Sequence, residues 1–255
     1  MKILVIPDVQ AKPGDDFRFL NNIGKFIVDK QPDVVVQIGD FADMQSLSSY
    51  DVGKKAFEGR RYRDDIACVQ NSMQDLLDPL IEYNDAKRRN GKKQYKPRMV
   101  LTLGNHENRI KRAVENDPKL EGVLDLSDLR YETYGWEVYS FLDVVVIGGV
   151  AFSHYFITGV AGRPASSAAA QFRKTNMSCV AGHQQGLQIH TGNRADGKLL
   201  TSVIAGSCYE HEEEYMGPQG NKHFRGLIML HDVDDGEFNI MPVPLKFIND
   251  KYSEV

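Results

Sequence analysis

Cysteine is scarce in this chain. Cys68, Cys179 and Cys208 are the only three among 255 residues, they stand far apart, and no CxxC pair occurs. Such a set excludes a disulfide framework or a thiolate metal knuckle, and predicts reduced thiols in a cytoplasmic-type compartment. Long apolar runs are lacking too. The longest, Val144–Phe152, covers nine residues and contains Gly148 and Gly149, whereas a membrane span needs about 20. The opening MKILVIPD meets Asp8 before it could form the apolar core of a secretory signal. Charge of one sign is not in excess. Lys and Arg number 31 against 35 Asp and Glu, which argues against wholesale coating of nucleic acid but leaves room for a local basic patch. Repeats, low-complexity tracts and a convincing linker are missing, so a single domain over residues 1–255 is expected.

What remains is an alternation of short β-branched runs with longer helical patterns. The runs are Ile3–Ile6, Val34–Ile38, Met99–Leu103, Val144–Ile147, Cys179–Ala181, Val203–Ala205 and Leu227–Leu230. Between the first two, Phe19, Leu20, Ile23, Phe26 and Ile27 share one helical face, with Asp15 or Asp16 as the expected cap. A second helix is predicted over Arg63–Arg89, stopped by Gly91 and kinked or broken at Pro79. Shorter helices are expected over Asn108–Asn116 and Ser166–Lys174. Strand–helix alternation followed by a strand-rich last third predicts an α/β layered domain.

The informative residues stand where the runs end. Ile3–Ile6 leads into Pro7-Asp8-Val9-Gln10, and Val34–Ile38 into Gly39-Asp40-Phe41-Ala42-Asp43. Met99–Leu103 leads into Gly104-Asn105-His106-Glu107, the fourth run into Ser153-His154, and the fifth into Gly182-His183-Gln184-Gln185. A single Asp or Asn at a strand end is an ordinary turn residue. Five successive strand ends carrying oxygen or nitrogen donors predict one shared site at the carboxyl edge of the sheet, where open α/β sheets bind their ligands. A mixed oxygen and nitrogen set suits Mn, Fe, Zn or Mg. A carboxylate placed centrally can bridge two ions, an arrangement that clamps the oxygens of a phosphoryl transfer.

In order and spacing these residues resemble the calcineurin-like metallophosphoesterase superfamily, whose signature runs D-x-H, GD-x-x-D, GNH-[ED], a lone His and GH-x-H. The stretches IAGSCYE and NKHFRG further resemble phage-borne or prokaryotic members, which would place the protein in a bacterial or host cytoplasm. The resemblance implies a four-layer sandwich of two mixed β-sheets flanked by helices, with an insertion at about 41–65 that helps form the substrate site. It implies two divalent ions, manganese foremost and Mg, Fe or Zn as further options. Asp40 would bridge them, Asp8 would hold the first, and Asn105, His154 and His183 would complete the second. A metal-activated hydroxide would be the nucleophile and His106 the general acid, with Glu107 orienting it. The implied activity is phosphoester hydrolysis, foremost of a phosphodiester in a nucleotide or nucleic acid. Phosphomonoesterase activity on a nucleotide or phosphoprotein is the alternative, and a phosphate-binding protein that has lost turnover is a third option.

Two positions depart from the signature, and both belong to the first metal. Gln10 replaces the histidine of D-x-H, and Gln185 replaces the last histidine of GH-x-H. A glutamine carbonyl is a harder and weaker donor than imidazole, so this site is expected to be weaker and to favour Mn or Mg over Zn. His190 or His211 could stand in. The basic run from Lys87 to Arg98 reads as a helix C-terminus and loop, whereas Lys54, Lys55, Arg60, Arg61 and Arg63, beside the presumed site, are better placed for substrate. Trp136 and the tyrosines near it read as packing.

Overall fold

The computed structural model describes residues 1–212 and 217–253. Its strands are β1 (Ile3–Ile6), β2 (Val34–Gln37), β3 (Arg98–Thr102), β4 (Glu137–Tyr139), β5 (Val145–Ile147), β6 (Val150–Ser153), β7 (Ile157–Thr158), β8 (Arg163–Pro164), β9 (Cys179–Ala181), β10 (Leu187–Asn193), β11 (Leu199–Ala205), β12 (Gly226–Asp234) and β13 (Glu237–Pro244). The helices are α1 (Arg18–Lys30), α2 (Tyr62–Arg89), α3 (Asn108–Asn116), α4 (Ala168–Thr175), α5 (Gly217–Gly220) and α6 (Leu245–Tyr252). No helix among the described residues is long and apolar enough to cross a membrane.

Two mixed sheets face each other. The first has the order β13-β12-β1-β2-β3-β4 and the second β10-β11-β9-β6-β5. In the first, β1 to β4 run parallel, and in the second β6, β9 and β11 do. Side-chain alternation along β1 builds the layers. Ile3 and Val5 join Val34, Val36, Val150, Phe152, Val180 and Val203 in a core between the sheets. Leu4 and Ile6 point the other way, into a larger core with Phe19, Leu20, Ile23, Phe26 and Leu76 of α1 and α2. Ala151, Phe156, Cys179 and Ala181 form a small cluster of their own. Strands buried on both faces need continuous apolar runs, which is why β1 and β2 were legible as ILVI and VVVQ.

Three sequence expectations change. Helix α2 is continuous through Pro79. The proline cannot donate to the carbonyl of Asp75, and the Asn21 side chain donates there instead, at 3.5 Å. Gly24 makes the helix crossing possible, since a Cβ there would lie 2.3 Å from the Leu76 carbonyl oxygen and 2.9 Å from the Pro79 ring. Neither Asp15 nor Asp16 is the N-cap of α1. That position is Phe17, and Asp16 accepts from the Arg18 amide at 3.0 Å. Finally, the run starting at Val144 does not itself deliver His154. It turns back through Gly148-Gly149, both at positive φ, and the antiparallel return strand β6 ends at Ser153-His154. A two-residue turn with both φ values positive is the hairpin geometry that glycine supplies.

Candidate active site

Strands β1, β2 and β3 of one sheet and β6 and β9 of the other carry the donors, so the site spans the adjoining carboxyl edges of both sheets. Short backbone bonds tie the loops together. The amides of Val9 and Gln10 donate to the Asp40 carbonyl at 3.0 and 2.8 Å, and Cys208 donates to that of Asp8 at 2.7 Å. Gln10, Asp40 and His183 all adopt left-handed backbone, with φ of 51°, 51° and 65°. Non-glycine residues in that region cluster where surrounding structure overrides local preference, as at ligand sites.

The glycines preceding the donors are steric requirements. A Cβ on Gly104 would sit 2.0 Å from Asp40 Oδ1, one on Gly39 2.5 Å from His154 Nδ1, and one on Gly182 2.5 Å from Asp8 Oδ1. Each GD, GN or GH pair of the sequence thus uses its glycine to let a donor from another strand nest against the backbone.

Asp40, His154 and His183 offer ligand atoms that all lie within 4.8 Å of one another. His154 Nδ1 faces the Ile38 carbonyl at 3.0 Å, which fixes the proton there and turns Nε2 inward. That Nε2 lies 3.0 Å from Asn105 Oδ1 and 3.3 Å from Asp40 Oδ2. Asp8 Oδ1 accepts from the His183 amide at 3.1 Å. Asp8 Oδ2 and Gln185 Oε1 are buried with no hydrogen-bond partner among the described residues. Buried polar oxygens are normally satisfied. Two orphaned acceptors, one on the β1 loop that donates to the Asp40 carbonyl and one on the loop that carries His183, fit a divalent cation. Gln10 is also buried, at 4% exposure.

The electrostatics agree. Burial pushes the Asp40 carboxyl up, but His106 and His154 beside it win and hold it below the usual carboxylate range. Burial raises Asp8, assisted by the charge of Asp40 against the opposing effect of His154. His154 is itself fully buried, which disfavours its charge, yet the Asp40 carboxylate lifts it to about 9. Burial and the nearby His154 drop His183 to about 4. In the metal-free protein at neutral pH, His154 therefore carries a proton that a bound cation must displace, whereas His183 is already neutral. Affinity for a divalent ion is expected to rise with pH, about tenfold per unit from 7 towards 9, as the Nε2 proton becomes easier to lose. Calorimetry of metal binding at pH 8 in buffers of different ionisation enthalpy should show about one proton released. Affinity that does not change between pH 7 and 9 would remove His154 from the ligand set.

His106, 16% exposed in its side chain, is held at both ring nitrogens. Nδ1 lies 2.9 Å from Asp43 Oδ1 and Nε2 3.1 Å from an Arg109 nitrogen. Arg109 also donates to Asp43 Oδ1 at 3.0 Å and to its carbonyl at 2.8 Å. Burial pushes His106 down, but the Asp40 carboxylate and the bond to Asp43 bring its pKa above the ordinary histidine value. The expectation that Glu107 orients His106 is corrected by this geometry. Glu107 is fully buried and accepts from the amides of Asp40, Ala42 and Gly104 at 3.1, 2.9 and 2.9 Å. It braces the loops that hold Asp40, and Asp43 does the orienting.

His190 and His211 lie elsewhere. His190 packs on Phe172, and His211 pairs with Asp15 at 3.0 Å and stacks on Tyr209. Of the acidic run after His211, Glu213 and Glu214 fall outside the described residues. Lys87, Arg88 and Arg89 occupy the last turn of α2, and Trp136 is buried with its ring nitrogen on Met73. Sequence reasoning named Asp43 without giving it a role and missed Arg109. The available signal was spacing, since Arg109 follows His106 by three, one helical turn at the start of α3.

Residues 1–196 match the family of calcineurin-like phosphoesterases. Among curated proteins, none matches the chain. With the match covering all five donor-bearing strand ends and the candidate metal cluster at their meeting point, the chain belongs to the calcineurin-like phosphoesterases and is a metal-dependent phosphoester hydrolase.

Proposed function

We propose that the enzyme hydrolyses a phosphodiester of a nucleotide or nucleic acid, using two divalent cations with manganese foremost. The observation that carries the two-ion reading is the pair of orphaned oxygens, Asp8 Oδ2 and Gln185 Oε1, on the loops that follow β1 and β9. Asp40, Asn105, His154 and His183 would hold one ion, and Asp8, Gln10, Gln185 and Asp40 the other. When bound, the ions polarise the phosphoryl oxygens and acidify the attacking water. His106 is the acid for the departing alcohol oxygen in this reading: Asp43 fixes the ring through Nδ1, and Arg109, which donates to Nε2 here, must yield that nitrogen before it can carry the proton.

Diester specificity draws on Arg109, whose Nη1 donates to Asp43 and the Met44 carbonyl and whose Nη2 donates to His106, which leaves fewer donors for the extra charge of a monoester dianion. The insertion at 41–65 frames the substrate in this reading. Lys54 and Arg60 are paired with Asp51, and a cleft of about 310 Å³ opens between Gln45 and Arg61. With Mn, Mg and Zn compared, bis-p-nitrophenyl phosphate should be hydrolysed faster than p-nitrophenyl phosphate. Dominant monoesterase activity with every metal overturns the diesterase reading.

The two glutamines set the metal preference. An oxygen-rich first site gives up the imidazole nitrogens that favour Zn, so that ion should be labile and activity should depend on added Mn or Mg. Replacing both, Gln10→His with Gln185→His, should raise affinity at this site by about tenfold or more and shift preference towards Zn. Metal analysis and titration calorimetry on the double variant check it. Unchanged stoichiometry and preference mean that these side chains do not ligate.

A further inference from the structure

Beside the candidate metal cluster stand two aromatic rings to which the hydrolytic reading assigns no role. Tyr155 directly follows His154 at the end of β6. Its ring centroid lies 4.8 Å from that of His183 and 5.8 Å from that of His154. Phe141, from the turn between β4 and β5, meets Tyr155 edge-on at 5.5 Å and approaches His154 at 6.3 Å. The next residue, Phe156, points into the core at 8% exposure, whereas Tyr155 and Phe141 are only half-buried.

The turn that presents Phe141 is built under constraint. Ser140 and Asp143 close it with bonds in both directions, Asp143 N to the Ser140 carbonyl at 2.9 Å and Ser140 N to Asp143 Oδ2 at 3.0 Å. Leu142 inside it is left-handed, with φ of 72°, a conformation that a branched residue adopts only when its surroundings impose it. The imidazoles do not need these rings for orientation in every case, because His154 is already fixed by the Ile38 carbonyl. A half-open aromatic surface touching both ligand histidines is placed for a planar group carried next to the reacting phosphate. Nucleobases stack on such rings whatever their sequence, because each has a π-face.

We propose that Tyr155, backed by Phe141, is the surface on which the substrate's nucleobase stacks. This rests on the diesterase reading above and adds to it a specificity-determining residue. Two diesters with the same leaving group separate the two ideas: thymidine 5′-p-nitrophenyl phosphate and methyl p-nitrophenyl phosphate. The wild-type enzyme should favour the thymidine ester in kcat/KM, mainly through KM. Tyr155→Ala should cut that preference on the order of tenfold, read as the ratio of the two esters on one preparation so that any change in metal content through His183 cancels, while Tyr155→Phe keeps it. Should Tyr155→Ala fold poorly, Phe141→Leu should cut the preference in the same direction. Calorimetry on the metal-loaded protein adds a readout apart from turnover, with thymidine 5′-monophosphate losing affinity in the Tyr155 variant and inorganic phosphate not. A preference that survives in Tyr155→Ala and Phe141→Leu, with both diesters still hydrolysed, overturns the stacking role and leaves the diesterase reading intact. If neither diester is hydrolysed while p-nitrophenyl phosphate is, the diesterase reading falls and the stacking role falls with it.

Discussion

Replacing Asp40 with Asn should reduce kcat/KM by about three orders of magnitude or more and markedly lower bound metal. The reason is geometric. Asp40 Oδ2 is 3.3 Å from His154 Nε2 and 3.7 Å from His106 Nε2, and Oδ1 accepts from the His106 amide at 2.9 Å. One carboxylate thus faces the ligand cluster, the proposed acid and the backbone that positions it. Asparagine keeps the shape but removes the charge that faces a bound cation, and the buried His154 loses the carboxylate that lifts its pKa and turns neutral. The fold should survive, because the Asp40 carbonyl that accepts from Val9 and Gln10 is untouched. Metal analysis, a thermal melt and steady-state rates on the same preparation make the test. Full activity with full metal content in this variant would sink the site assignment.

At His106 the expected loss separates chemistry from binding. His106→Ala should leave metal content close to wild type and slow esters with poor leaving groups by ~10²–10⁴-fold. Nitrophenyl esters, whose leaving groups need little protonation, should lose much less. The pH profile carries a sign as well. An acid must hold its proton to work, so the rate falls as pH rises through its pKa. In the metal-free protein the Asp40 carboxylate and the bond to Asp43 raise that pKa against the effect of burial; cations bound at Asp40 offset its share, so the check is that the wild type shows a descending limb and the variant does not. Asp43→Asn should move the limb to lower pH, because it removes a carboxylate bonded to Nδ1 at 2.9 Å. Equal losses on both ester types would take the general-acid role from His106.

Much of the fold and of the donor set was legible from local signals. Strands β1, β2 and β9 are apolar runs buried along their length, and buried parallel strands leave that trace in the sequence. Helices α1 and α3 show an apolar stripe at helical spacing. Other elements left weak traces. β4 is three residues with an exposed or half-buried pattern, β10 alternates near the surface, and α6 is only eight residues long. Pro79 does not break α2, although local chemistry disfavours a mid-helix proline. The compensation, Asn21 reaching the Asp75 carbonyl, comes from another helix.

By itself the sequence determined that the chain is built of alternating strands and helices, and which residue types stand at the strand ends. Those properties depend on neighbours within one turn or one pleat, so spacing encodes them. Only the tertiary structure decided that the donors belong to two sheets whose edges meet, since Asp8 and His183 are 175 positions apart and still share a 3.1 Å hydrogen bond. It also decided that Glu107 braces loops while Asp43 and Arg109 hold His106. Three acids within reach of one histidine are equivalent in a string of letters. They part company only when packing buries one against backbone amides and brings another, 63 positions away, to the imidazole.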